Sequence, residues 1–276
     1  MHAPRSWLYV PGDRPERFEK ALASGADAVI LDLEDAVSAA ARPAAIGHVE
    51  AFLAARAAAP DAAAQLWVRV DDAHVRHPAI AALARHAALA GFVIPKFESA
   101  GQAAGWGKPV LAIVETPRGV VDAARLASEA AAADGTALHG LALGPEDLSA
   151  ALGVAPTLES LNHAAATLVM AARAAGVAVY ACPGSLGEFR DLAAWRATVQ
   201  AGRRLGSQGT FCIHPAQIGP AHEAFSPTPA ELESARRICE AWDRAAGQGA
   251  VALEGRMIDR PVWQRACETL ARARSR

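Results

Sequence analysis

The stretch Val110–Gly119, VLAIVETPRG, runs five apolar residues into a carboxylate, Glu115, and then into a proline and a glycine. A continuously apolar run of that length suits a strand covered on both faces, as in a parallel sheet, and Glu115 then marks the strand's exit into a site. The pattern recurs. The runs SWLYV, AVILDLE, QLWVRV, GFVIPKF, VLAIVE, HGLALG, VAVYAC and GTFCIH are separated by helical stretches, and several finish on a polar or charged residue. Arg69 ends the third, Lys96 the fourth and Glu115 the fifth, while Asp147 follows the sixth in LALGPEDL. Eight buried strands alternating with helices predict an α/β fold of the (β/α)8 TIM barrel type rather than an open doubly wound sheet. In such a barrel all strand C-termini open onto one face, so these side chains are expected to converge on a common mouth.

The intervening segments read as helices by cap and period. In the first, Asp13 is expected to cap, Glu16 to complete a capping box, Phe18 and Leu22 to share a face, and Gly25 to stop the helix. Beyond the eighth run, residues 1–225 giving the barrel, comes the Ser/Pro-rich break SPTPAE. Residues 226–276 then continue as a helical segment, a Gly-containing turn at GQG, and VALEGRMIDRPVWQRACETLARAR. That tail is surplus to eight units and reads as a lid, an oligomer contact or packing on the barrel's outside.

The chain has 276 residues, 52% of them hydrophobic, and a formal net charge of -2. It can bury one sizeable core. It shows no dense Lys/Arg run with interleaved aromatics, which argues against a nucleic-acid groove or an anionic membrane surface. The N-terminal MHAPRSWLYVPGD lacks the apolar stretch of a signal peptide, and charges such as Arg173 interrupt the longest apolar regions, so a cytoplasmic protein working on small molecules is expected. Cys182, Cys212, Cys239 and Cys267 have no paired close spacing and read as reduced core thiols.

Two carboxylates from neighbouring strands, Glu115 and Asp147, match the way Mg2+ is held, by a few hard protein oxygens with the rest left to water and substrate. Each residue also has a structural explanation. Glu146 and Asp147 lie in the first turn of a helix opened by Pro145, where the helix dipole favours acids. Glu115 can be a solvated strand end with Arg69 as its ion-pair partner, and Lys96 an exposed loop residue. Asp32, Glu34 and Asp35 in ILDLEDAV form a second acidic cluster that can order metal-bound waters, hold Arg69, or face solvent.

The segments LYVPGDRPERFEKALASGADAVILDLEDAV, VRV, VIPKFES, ETPRG, LGPEDL, IHPAQI and GRMID, in that order over nearly the whole chain, resemble the citrate lyase β subunit family within the wider HpcH/HpaI-type aldolases and malyl-CoA lyases. The resemblance implies a Mg2+-binding (β/α)8 barrel, assembled into homotrimers or hexamers. It also implies making or breaking a carbon–carbon bond between an acyl-CoA thioester and a 2-oxo acid. On that pattern Glu115 and Asp147 are the metal ligands, and Arg69 contacts oxygens of the reacting acid or thioester. Gly144, Pro145 and Glu146 line the seat for the acid's carboxylate, Arg14, Arg17 and Lys20 lie near the CoA moiety, and Asp259 acts from a C-terminal lid over a neighbouring subunit's site. Where relatives carry an Asp-Gly-Val turn after strand seven this chain has ACPGSLGEF, before IHP it has SQGTFC where Gly-Lys is common, and Asp71 stands where VRVN is expected. Four alternatives stay open: a Schiff-base aldolase using Lys96, a non-catalytic subunit or one acting on an acyl-carrier-protein thioester, thioester hydrolysis after condensation, and a protein that binds such ligands without turnover. The motifs do not choose among malyl, citramalyl and citryl thioesters.

Overall fold

The computed structural model describes residues 3–56, 64–70, 77–133, 135, 137–245 and 249–274. All eight apolar runs are strands: β1 Ser6–Pro11, β2 Ala28–Asp32, β3 Gln65–Arg69, β4 Leu89–Ile94, β5 Val110–Val114, β6 Leu138–Leu143, β7 Ala178–Tyr180 and β8 Thr210–Cys212. They pair in parallel in the order β7-β6-β5-β4-β3-β2-β1-β8. This is the expected (β/α)8 TIM barrel, nearly closed. At the seam between β7 and β8 side chains stand in for the ladder. Gln208 donates its backbone N–H to Val179 O (2.9 Å) and accepts from Val179 N through its side chain (2.9 Å), while Ser207 Oγ accepts from Ala181 N (2.9 Å).

Around the barrel run α1 Phe18–Leu22, α2 Arg42–Arg56, α3 Pro78–Leu83, α4 Pro117–Ala132, α5 Pro145–Leu152, α6 Leu158–Ala175, α7 Leu192–Leu205 and α8 Ile218–Phe225. The alternation is imperfect. Between β4 and β5 the described connection holds a single 3-10 turn, Ala100–Ala103, in place of a helix. The first helix also differs from expectation. It starts as a 3-10 turn at Pro15 after Arg14, with no side-chain cap, so Asp13 and Glu16 do not build a capping box. Gly25 does lie in the left-handed region, at φ 84°, just past the helix end. Helix α4 explains the rest of VLAIVETPRG: Thr116 accepts from Gly119 N (3.0 Å) as N-cap, and Pro117 occupies the first turn, where its missing N–H costs nothing.

The barrel interior is packed rather than hollow. Trp7 stands edge-on to Trp67 and Tyr180, with ring centroids 5.0 Å away in each case, and His139 is bonded to the Tyr180 hydroxyl (3.1 Å). Burial among these rings lowers the His139 pKa to about 4. Aromatic rings from β1, β3, β6, β7 and β8 thus plug the lower barrel and leave the C-terminal ends of the strands for chemistry.

The chain divides into two compact units, Ala3–His222 and Glu223–Arg276. In the second, α9 Pro229–Arg244 starts with a capping box of Thr228 and Glu231, and α10 Arg260–Arg274 packs against it. Between them lies an antiparallel hairpin that the sequence reading missed, β9 Ala250–Leu253 and β10 Arg256–Asp259. It turns on Glu254 and Gly255, both at positive φ (52° and 76°), as a two-residue hairpin turn requires. Cys182 and Cys212 are buried core thiols, but Cys239 and Cys267 are half-buried and meet at 3.6 Å between α9 and α10.

Candidate active site

Arg69 and Asp32 are register partners at the ends of β3 and β2. Parallel pairing sets them side by side, and the guanidinium grips the carboxylate as a fork, Nε to Oδ1 at 2.7 Å and Nη2 to Oδ2 at 2.6 Å. Its Nη1 lies 3.0 Å from Glu34 Oε2 and 3.4 Å from Asp35 Oδ2. The acidic cluster of ILDLEDAV therefore holds Arg69. Asp32 also accepts from Glu34 N (3.0 Å) and Ala36 N (3.2 Å), so one carboxylate shapes the turn and orients the arginine. The Tyr9 ring underlies the guanidinium, 4.9 Å from ring centre to Cζ. Burial alone would weaken the Arg69 charge, but Tyr9, Asp32 and Glu34 more than offset it, and its pKa is raised.

Glu115 follows β5 and is 4% exposed. Its Oε1 accepts from Lys96 N at 2.8 Å. That N–H is aimed by an unusual backbone, because Lys96 sits at φ 50°, where a non-glycine residue is strained. On its other side Gly144 is required: a Cβ there would collide with Oε2 and Cβ of Glu115. Burial, then Asp147 and Glu34, push the Glu115 pKa up to about 8 against the pull of the Lys96 N–H and Arg69. Asp147 itself projects from the first turn of α5, whose N-cap is Gly144. Two carboxylates thus crowd one another at the ends of adjacent strands. A divalent cation would relieve the crowding, and the donors fit a hard ion that keeps several waters. Among the described residues no group of three or more His, Cys, Asp or Glu side chains is arranged to hold a metal.

Lys96 Nζ lies 3.4 Å from Glu34 Oε1. Burial lowers its pKa, but Glu34 outweighs burial and the net shift is upward. A lysine held charged in this way is a poor Schiff-base nucleophile.

A cavity of about 750 Å3 opens over these residues. Arg69, Asp32, Glu115, Gly144, Pro145, Glu146 and Asp147 line it, together with apolar Leu8, Val10, Ile113, Leu186, Phe211 and Ile213. Arg17 and Lys20 also line it, whereas Arg14 does not and lies beside Asp13. Glu146 is committed elsewhere. Its Oε1 accepts from Ser185 Oγ (2.7 Å) and Leu186 N (2.9 Å), which ties α5 to the ACPGSLGEF loop after β7. Asp259 ends β10 in the second unit and accepts from Val262 N (3.1 Å), the position of a helix cap for α10. Asp71 lies outside the described residues. Sequence reasoning missed three residues here: Tyr9, His214 and the buried Gln217 that anchors His214. The signal available for Tyr9 was its place two residues after Trp7 on the inward face of β1.

Comparison with known proteins agrees with the geometry. The HpcH/HpaI aldolase/citrate lyase family matches residues 5–108 and 106–215. The chain is 35% identical to a citrate lyase subunit beta-like protein of Deinococcus radiodurans, over 96% of this chain and 97% of that one. It is 32% identical to a (3S)-malyl-CoA thioesterase of Cereibacter sphaeroides, over 99% and 95%. Among solved structures, the protein CitE from Mycobacterium tuberculosis in complex with magnesium, acetoacetate and coenzyme A superposes with a TM-score of 0.78, at 33% identity and covering 98% of each chain. With the family's motifs at the ends of its strands and its fold throughout, the chain belongs to the HpcH/HpaI aldolase/citrate lyase family.

Proposed function

We infer that this protein is a Mg2+-dependent carbon–carbon lyase that splits, or forms, a 3-hydroxyacyl-CoA thioester, giving an acyl-CoA and a 2-oxo acid. The observation that carries the reading is Glu115, a buried carboxylate driven up to about pKa 8 beside Asp147 at the floor of a cavity large enough for an acyl thioester. A related structure holding magnesium, acetoacetate and coenzyme A supports it. Mg2+ held by Glu115 and Asp147 would supply Lewis acidity to the oxygens of the 2-oxo acid.

The chain's own groups do the rest. Arg69, kept charged and oriented by Asp32, presents a fixed guanidinium that offsets negative charge on a substrate oxygen without releasing its proton. The backbone N–H groups that open α5 after Gly144 and Pro145 form a seat for the acid's carboxylate. Glu146 fixes that helix start to the loop after β7. Arg17 and Lys20, which line the cavity, are the cations we assign to a CoA phosphate. Asp259 is the residue we assign to proton transfer, brought by the 226–276 segment acting as a lid in a homotrimer or hexamer. Asp259→Asn tests this against its capping role, since a cap tolerates asparagine while a proton carrier does not.

The malyl-CoA thioesterase relative supports a second reading, hydrolysis of the thioester. One experiment separates the two. Malyl-CoA, citramalyl-CoA and citryl-CoA are each supplied with and without Mg2+, and both the 2-oxo acid and the free CoA thiol are followed. Release of 2-oxo acid with the thioester intact, only with Mg2+, is the lyase outcome. Free thiol without 2-oxo acid would replace it with hydrolysis.

A further inference from the structure

We propose that His214 donates a hydrogen bond to the thioester carbonyl oxygen of the substrate and stabilises the charge that oxygen carries as an enolate. This rests on the lyase reading and adds a catalytic residue to it. His214 follows β8 and lines the cavity. Its backbone is fixed from below. Ile213 N and His214 N both donate to Gln217 Oε1 (2.8 and 3.1 Å), and Gln217, wholly buried, donates through Nε2 to Leu186 O (2.9 Å). Its ring stacks on Phe189, centroids 4.8 Å apart and planes 20° from parallel. Backbone and ring are therefore both held before any ligand arrives, as a preorganised donor must be.

The orientation of the ring determines what it offers. Ala216 N donates to His214 Nδ1 at 3.2 Å. A ring nitrogen that accepts cannot carry the proton, so the proton sits on Nε2 and that atom is a donor. Position in the barrel supplies the partner. Strand β8 stands between β1, which leads to Arg17 and Lys20, and β7, beyond which β6 leads to Asp147. A thioester reaching from that cationic rim to the acid pair passes the loop that carries His214.

The reaction needs a donor at that point. When the bond between the α-carbon and the carbinol carbon breaks, the carbinol proton goes to a base, and the bonding pair passes through the α-carbon onto the thioester oxygen. Protonation of the α-carbon then returns the pair and completes the acyl thioester. Arg69, gripped by Asp32, serves one substrate oxygen and Lys96 is paired with Glu34, so the second oxyanion needs another donor, and His214 lines the cavity with its ring proton on Nε2.

Two substitutions divide the ring's functions. His214→Phe keeps a face for Phe189 but has no N–H, and His214→Gln gives up the stack but keeps an N–H at similar reach. Both lose the bond from Ala216, so that loss cancels. Two rates are read: 2-oxo acid release from the thioester panel, and exchange of the α-hydrogens of acetyl-CoA for deuterium in heavy water with Mg2+. His214→Phe should lower kcat and exchange about 100-fold or more, with KM within about threefold, while His214→Gln stays within about tenfold of wild type. Equal losses in the two variants, or a Phe variant more active than the Gln variant, would overturn the donor role. Wild-type protein that exchanges hydrogens but releases no 2-oxo acid would refute the lyase reading and leave the donor role to be judged on exchange. Neither activity in the wild type would refute both.

Discussion

Asp27 at the N-terminal end of the barrel and Glu115 at its mouth are held in opposite ways. At the N-terminal end Arg5 closes on Asp27 with its backbone N and Nε to Oδ2 and its Nη2 to Oδ1, each at 2.8 Å. Ser6 Oγ takes the Asp27 N–H (3.1 Å) and meets His222 Nε2 (2.8 Å), which also lies 3.4 Å from Asp27 Oδ1. Burial pushes the Asp27 carboxyl up, but the Arg5 bonds outweigh it and the pKa ends below its ordinary value. At the mouth the balance runs the other way and Glu115 rises to about 8. An acid matched by its own cation strengthens the fold. An acid left in excess makes the folded state weaker and readier for a cation, which separates a bottom built for stability from a top built for chemistry.

Glu115→Gln attacks the comparison at its strongest point. It keeps the shape and removes the charge, so turnover should fall by about three orders of magnitude and Mg2+ binding should weaken sharply, read by kinetics and by calorimetry. Stability should respond in the other direction. A carboxyl whose folded pKa is raised binds its proton more tightly in the folded state. The metal-free protein should therefore be favoured below the ordinary value of 4.5, lose stability as pH rises, and level off above about 8. In Glu115→Gln that fall, on the order of a few kcal/mol at most, should be absent from denaturant titrations across the range. A wild-type curve that stays flat from acid to neutral pH would remove the distinction between the two ends.

Arg69→Lys comes next. A lysine cannot reproduce the fork on Asp32, so turnover should fall at least tenfold, about 1.4 kcal/mol of barrier, with the fold retained by circular dichroism. Asp27→Asn is the converse at the bottom. It should cost about 1–3 kcal/mol of stability and leave turnover per folded molecule unchanged. The wild-type contribution from Asp27 is complete above its ordinary value of 3.8 and is lost as pH falls through the lower folded pKa, so the mutant's deficit should shrink in acid. A large fall in kcat for Asp27→Asn would mean that the bottom face is not a separate stabilising clamp.

The barrel was legible in the sequence because the strands are nearly continuously apolar and several end on punctuation, as VLAIVETPRG does: Glu115 turns into the mouth, Thr116 caps and Pro117 opens the helix. The strand-end residues Arg69, Glu115 and Asp147 could be picked out for the same reason. What stayed hidden depended on long-range pairing. No local pattern says that Glu146 is taken by Ser185 and Leu186, that Gln217 holds His214, or that Gln208 stands in for a strand ladder at the seam. The first helix misled because Asp13 and Glu16 have the spacing of a capping box while Pro15 starts a 3-10 turn after Arg14 instead. The hairpin of β9 and β10 had a signal in Glu254-Gly255, flanked by short apolar runs, but both strands are only half-buried and their alternation is weak.

The smallest expected effect tests which half of Lys96 the mouth uses. Its backbone N–H holds Glu115 Oε1 at 2.8 Å, whereas its side chain, more than half exposed, meets Glu34 at 3.4 Å in an ion pair of the kind that contributes little. Lys96→Ala keeps the N–H and removes the ammonium, so turnover should stay within about threefold of wild type. Lys96→Gly also keeps the N–H and relieves the strain of φ 50°, so it should retain activity and leave stability level or slightly raised. Lys96→Pro removes the N–H and forces φ negative, and should lower Mg2+ affinity through the freed Glu115 even where the barrel still folds. The ordering Ala and Gly active, Pro impaired, assigns the residue's function to its main chain. Inactive Lys96→Ala, together with borohydride trapping of substrate on the wild-type protein, would instead make the amine a nucleophile and turn the mouth into a Schiff-base site.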